Sequence, residues 1–143
     1  MKRFRFGLEK ILELRRHSEE EAKIELGKAI SILNEIENNI NINSTKWNNA
    51  VRERFTGINT ADGILSMQAW DNYILRLEQE AEKLKAQAAQ AELVVEEKRI
   101  LYLEASRELK VMEKLKEKRQ KDHRKEMFKA ETKESDDNWR EMK

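Results

Sequence analysis

The chain has 143 residues, enough for one domain, but with 38% hydrophobic and 40% charged residues it cannot build a thick globular core. A formal net charge of +1 supplies no global field for nucleic acid or a membrane surface. The lack of cysteine excludes disulfides, thiolate nucleophiles and Cys-based metal sites. Proline is absent too, as expected where most residues sit in helix interiors, in which proline costs about 3 kcal/mol.

The opening Met1-Lys2-Arg3-Phe4-Arg5-Phe6 has the basic residues of a signal peptide, but Glu9, Lys10 and Glu13 break the apolar run that would have to follow. No stretch approaches the roughly 20 apolar residues needed to span a bilayer. A cytoplasmic protein without direct membrane insertion is the expectation.

Helix one is predicted over about 8–55. Its apolar stripe is Leu8, Leu12, Ala22, Leu26, Ala29, Leu33, Ile36, Ile40, Trp47 and Ala50, interrupted by Arg15, Glu19 and Asn43. Polar residues inside such a seam set register at some cost in stability. A turn follows at about 56–62. There Gly57 can supply a left-handed helix stop, and Thr60 or Asp62 a side-chain N-cap.

Helix two is predicted over about 63–112 and carries the cleaner stripe. Its positions are Met67, Trp70, Ile74, Leu77, Ala81, Leu84, Ala88, Ala91, Val95, Lys98, Tyr102, Ala105, Leu109 and Met112, and only Lys98 is polar. A 3.5-residue apolar repeat held this long specifies a left-handed coiled coil, because only supercoiling keeps the seam facing one partner. The short connection makes the two helices antiparallel neighbours. Leu8 then falls opposite Met112, Leu12 near Leu109 and Ala50 near Trp70. The predicted fold is all-α, one domain over 1–143: a long antiparallel two-helix coiled-coil hairpin, on the order of 70 Å long, with a charged C-terminal helical extension.

That extension, 113–143, keeps helix formers but few apolar residues: Leu115, Met127, Phe128, Ala130, Trp139 and Met142. The stretch 114–125 is basic. Only seven residues precede Leu8, so most of the tail is expected to find no partner on this chain. It is either a single helix held by i,i+4 ion pairs or a segment ordered by another molecule. The basic stretch could grip phosphates, but no aromatic residues interleave with it to stack bases, so nucleic acid is not expected as a partner.

Catalytic chemistry is not expected. His17 and His123 fall off the apolar stripes among charged residues and read as surface histidines rather than a metal pair. Gly27-Lys28 lacks the upstream glycine and following Ser or Thr of a phosphate loop. A two-helix rod offers no cleft in which to desolvate a carboxylate pair. No catalytic residue, cofactor or metal ligand is assigned.

The two ends of the chain carry a resemblance. Phe4-Arg5-Phe6-Gly7-Leu8-Glu9-Lys10-Ile11-Leu12-Glu13-Leu14-Arg15 resembles the opening of the flagellar FliJ family: Phe-x-Phe, a leucine, an apolar pair and an arginine. Many members have proline where this chain has Gly7. Met112-Glu113-Lys114-Leu115-Lys116-Glu117-Lys118-Arg119 is similar as well. So is Glu131-Thr132-Lys133-Glu134-Ser135-Asp136-Asp137, in which Asp137 replaces the usual glutamate.

The resemblance implies a soluble component of the flagellar type III export apparatus, an antiparallel coiled coil similar to the stalk of rotary ATPases. Its terminal end would enter the pore of the hexameric export ATPase and promote ring assembly and activity. Its loop-proximal part would contact the cytosolic domain of the export gate, and it would also handle export chaperones. A monomer, peripheral at the cytoplasmic face of the flagellar base, is implied.

Matching the gate contact by motif points to Trp70, Tyr73 and Leu77. Trp70 and Leu77 also occupy seam positions and so read more readily as core, whereas Tyr73 lies beside the seam and is the better candidate for a partner surface. For the ATPase, the candidates are Phe4 and Phe6, which precede the seam and lack an evident partner, with Lys114, Lys118, Arg119, Phe128 and Trp139. Packing of Phe4 or Phe6 against the tail is the competing reading. A coiled-coil adaptor or scaffold unrelated to export, or a nucleic-acid-binding helical arm, are the alternatives in function.

Overall fold

The computed structural model describes residues 3–57 and 63–142. Two helices account for nearly all of them: α1, Glu9–Thr56, and α2, Gly63–Glu141. No strand occurs among the described residues. The fold is all-α, as the two stripes require. α2 continues without a break through the segment in which its apolar stripe fades.

α1 opens from a turn. The Glu9 amide donates to the Phe6 carbonyl at 3.2 Å and the Leu12 amide to the Leu8 carbonyl at 2.9 Å. Glu9 then places a carboxylate in the first turn and Arg54 a cation in the last, each favoured by the helix dipole. Gly57 does not act as a left-handed stop, because no glycine among the described residues has positive φ. The reason for a small residue there is proximity: a Cβ on Gly57 would lie 3.3 Å from the Ser66 hydroxyl of α2. The caps expected at Thr60 or Asp62 lie outside the described residues.

Packing divides the chain into two compact units, Met1–Lys23 with Leu101–Lys143, and Ile24–Ile100. In each, a segment of α1 lies antiparallel to a segment of α2. In the second unit Asn43 bonds to Leu77 and Arg54 to Asp71, so the partner number falls as the α1 number rises. Its seam buries Ala29 and Ala50 against a row containing Leu77, Leu84 and Ala91. In the first unit Phe6, Leu12 and Leu109 form the core, with Phe4, Leu8, Met112 and Leu115 packed on it. All fourteen seam positions of α2 from Met67 to Met112 are buried or half-buried, including Lys98.

Two of the three polar interruptions of the α1 stripe, Asn43 and Arg15, have partners on α2. Asn43, 8% exposed, donates its side-chain amide to the Leu77 carbonyl at 3.2 Å. A buried amide is costly unless paired, so this bond penalises any slip of the two helices. Arg15 leaves the seam for solvent and reaches Glu108 at 2.8 Å. Trp47 stays at the seam edge because its indole N–H donates to Glu78 at 3.2 Å. On the surface of α2, the Arg99 guanidinium donates to both Glu96 oxygens, at 2.6 and 2.9 Å. These bonds hold the Glu96 carboxyl below its usual pKa range and raise that of Arg99.

Leu12 is fully buried and Leu93 is 62% exposed. Leu12→Ala is therefore expected to lower the unfolding free energy by about 2–5 kcal/mol. Leu93→Ala should change it by less than about 0.5 kcal/mol. Urea titrations followed by circular dichroism check both, and equal losses would contradict the placement of the core.

Candidate interaction surfaces

The first candidate surface gathers both terminal segments. Residues 3–6 adopt no regular secondary structure and pack beside α2. Phe4 and Phe6 meet positions one turn apart on that helix. Phe4 lies against His123, ring centroids 5.5 Å apart, and the Arg119 guanidinium sits 5.6 Å from the centre of the Phe6 ring. One further turn back, Lys116 pairs with Glu9 at 3.0 Å.

These contacts change two expectations. Phe4 and Phe6 have partners on this chain, and Phe6 is only 8% exposed. The competing reading, local packing against the tail, describes both rings. His123 is half-buried rather than a surface residue, because it packs against Phe4. His17, by contrast, is exposed and lies 3.0 Å from Glu21.

Sequence reasoning missed His123, Lys116 and Glu9 because it tracked apolar residues only. The signal was present in the count. Steps of seven from Leu109 give Lys116 and His123, and a step of seven from Met112 gives Arg119. The repeat continues past Met112 with polar side chains, and these meet the N-terminal arm.

Interleaved with the clasp residues, Lys114 and Lys118 are exposed, and beyond the clasp so are Phe128 at 71% and Trp139 at 63%. The remaining candidates for this end thus lie on α2 rather than on the arm. A partner would meet cations first and large rings further along the helix.

The second candidate surface lies in the other unit. Trp70 and Tyr73 meet edge to face at 5.9 Å, and Arg76 lies 5.8 Å from the Tyr73 ring centre. Both rings are half-buried. Leu77 is buried, and its carbonyl receives the Asn43 amide, which makes it part of the seam. Tyr73 and Trp70 are thus the members with surface to offer. Phe55, Ile64 and Leu65, absent from the sequence-based candidates, are strongly exposed in the same unit. Their signal was an apolar side chain off the heptad count, on either side of the predicted turn. Further along this unit, the small seam residues Ala29 and Ala91 leave an apolar groove of ≈ 330 Å³ between Ile32, Ile36 and Val94.

The arrangement has two surfaces of different chemistry. One offers a clasped arm and a basic helix. The other offers half-buried aromatic rings bordered by aliphatic side chains. Among the described residues, no helix is long and apolar enough to cross a membrane. A family model described as the flagellar FliJ protein matches residues 4–140. No curated protein and no solved structure matches the chain.

Phe6→Ala is expected to destabilise the fold by about 3–5 kcal/mol, as deletion of a buried ring does. Phe128→Ala should leave stability unchanged to within about 0.5 kcal/mol. Thermal and urea unfolding of the two variants check this. A stable Phe6→Ala protein would mean that the arm is not docked.

Proposed function

The chain belongs to the flagellar FliJ family, and from that premise we propose that it is a non-enzymatic stalk and interaction component of the flagellar type III export apparatus. The family places it among flagellar export-associated coiled-coil proteins. The finer reading is that the unit holding both terminal segments inserts into the hexameric export ATPase and promotes ring assembly and activity. The unit holding the helix connection engages the cytosolic domain of the export gate. Export chaperones are further partners. The working location is the cytoplasmic face of the flagellar base.

The observation that carries the first assignment is the exposed basic side of α2 opposite the clasp. The arm packs on one side of α2 through Lys116, Arg119 and His123, leaving Lys114, Lys118 and Phe128 exposed. A pore lined with polar loops can meet such a helix without burying an unpaired charge. The gate assignment rests on Trp70 and Tyr73, since half-exposed aromatic rings in a packed setting are the usual anchors of protein interfaces. Leu77 supports those rings from the seam. The arm residues Phe4 and Phe6 act by positioning α2.

The test is ATP hydrolysis by the cognate export ATPase with and without this protein, with the hexamer fraction followed by gel filtration. Stimulation with more hexamer is expected. A chain ending at Glu126 keeps every residue of the clasp but loses Phe128 and Trp139. It should fold with an intact arm and stimulate less. Full stimulation by that truncation would remove the two rings from the ATPase surface, and no stimulation by the full chain would defeat the stalk assignment.

A further inference from the structure

The unit Ile24–Ile100 has a second flank, on the side away from Tyr73. At about 100° per residue, Ile64, Asp71, Leu75 and Glu78 share one face of α2, and Leu75 lies about 160° around the helix from Tyr73. On α1, Trp47, Val51 and Phe55 follow one another at steps of four. The bonds from Trp47 to Glu78 and from Arg54 to Asp71 bring these two faces together. Leu65 is about 80° from Tyr73 and stays with the aromatic surface.

The flank is apolar and open. Phe55 is 74% exposed and Ile64 77%, and Trp47, Val51 and Leu75 are exposed too. Charge is sparse around them. Over 38–51 and 63–75 only Lys46 and Asp71 are charged, in a chain that is 40% charged. Asp71 is paired with Arg54, and Lys46 lies about 180° around α1 from Phe55. Exposed aromatic and aliphatic side chains with charge removed mark the centre of a protein interface rather than a solvated face.

Further along the same flank, the apolar strip runs into a groove of ≈ 370 Å³ between Ile40, Trp47 and Ala81. Its α2 rim is acidic. Glu82 is paired with Lys85 at 3.6 Å. Glu78 takes the neutral Trp47 indole N–H at 3.2 Å, and among the described residues no cation pairs with it. From Phe55 to Ile40 the strip is about 22 Å long, the length of a four-turn helix.

We propose that this flank docks a single amphipathic helix of another protein, with an aliphatic stripe for Trp47, Val51, Phe55 and Leu75 and a basic edge for Glu78 and Glu82. A third helix laid along two antiparallel ones fills the groove between them. The charges choose the occupant. A second copy of this chain is the poorer fit, because the cations of its own flank, Arg54 and Lys85, are already paired with Asp71 and Glu82. Glu78 would then be covered without a counter-charge. The docked helix leaves Tyr73 and the terminal unit uncovered, so it binds alongside the partners of the proposed function.

The test titrates the full chain into a labelled synthetic helical peptide of about 15 residues, with a leucine stripe edged by lysines, followed by fluorescence anisotropy. This peptide should bind at least about fivefold more tightly than the same peptide edged by glutamines. Glu78→Gln with Glu82→Gln keeps an acceptor for the Trp47 N–H and should make the two peptides bind alike. Val51→Asn with Leu75→Asn should weaken both at least about tenfold, with helicity by circular dichroism as the check on folding. Ile32→Asn, in the apolar groove beside Gln87 on the Tyr73 side, should leave binding unchanged. Failure of both peptides to bind, equal affinity for the two in the wild type, or binding that survives the Val51 and Leu75 replacements would overturn the proposal. So would a wild-type dimer in sedimentation equilibrium that those replacements dissolve, which would give the flank to a second copy.

Discussion

A two-helix seam buries each side chain against one neighbour only, so the structure depends on register. A globular core can compensate for a displaced residue from several directions. Here a slip of one residue would rotate Leu77, Leu84 and Ala91 out of the seam together. In the unit Ile24–Ile100 the register is specified by the Asn43 amide, which is satisfied only with the Leu77 carbonyl opposite. In the unit containing both terminal segments it is specified by Arg15 with Glu108 and Glu9 with Lys116, around the buried Leu12. The hydrophobic stripe supplies the driving force for pairing, and a few polar contacts choose which pairing forms.

The same polar contacts prepare the candidate surfaces. Holding Phe4 and Phe6 against His123 and Arg119 commits one side of α2 to the arm and leaves the opposite side with its lysines exposed. The two rings of the Phe-x-Phe motif meet positions one turn apart on α2. In the other unit, burial of Leu77 seats the turn of α2 that carries Trp70 and Tyr73. A rigid seam thus presents aromatic and cationic groups without spending entropy on ordering them at the moment of contact.

Much of this was legible in the residues. The 3.5-residue repeat in α2 identified every seam position up to Met112, and the interruptions at Arg15 and Asn43 were readable as register devices. The clasp was not legible, because a search for apolar periodicity stops at Leu115, while the repeat goes on through Lys116, Arg119 and His123. Their stems and rings do the packing, a use of amphipathic side chains that composition does not reveal. Gly57 was misread for a related reason. A glycine at a helix end suggests a left-handed stop, whereas the close Ser66 is a tertiary neighbour that no local rule anticipates. The exposure of Phe55, Ile64 and Leu65 likewise follows from the packing of α1 and α2 rather than from any local pattern.

In the proposed function the two units address different partners: the terminal unit the export ATPase, and the aromatic unit the export gate. A photocrosslinking amino acid placed at Lys118 and, separately, at Tyr73 tests it directly with both partners present together. Position 118 is expected to capture the ATPase and position 73 the gate domain. Capture of the same partner from both positions, or of each from the wrong one, would contradict it.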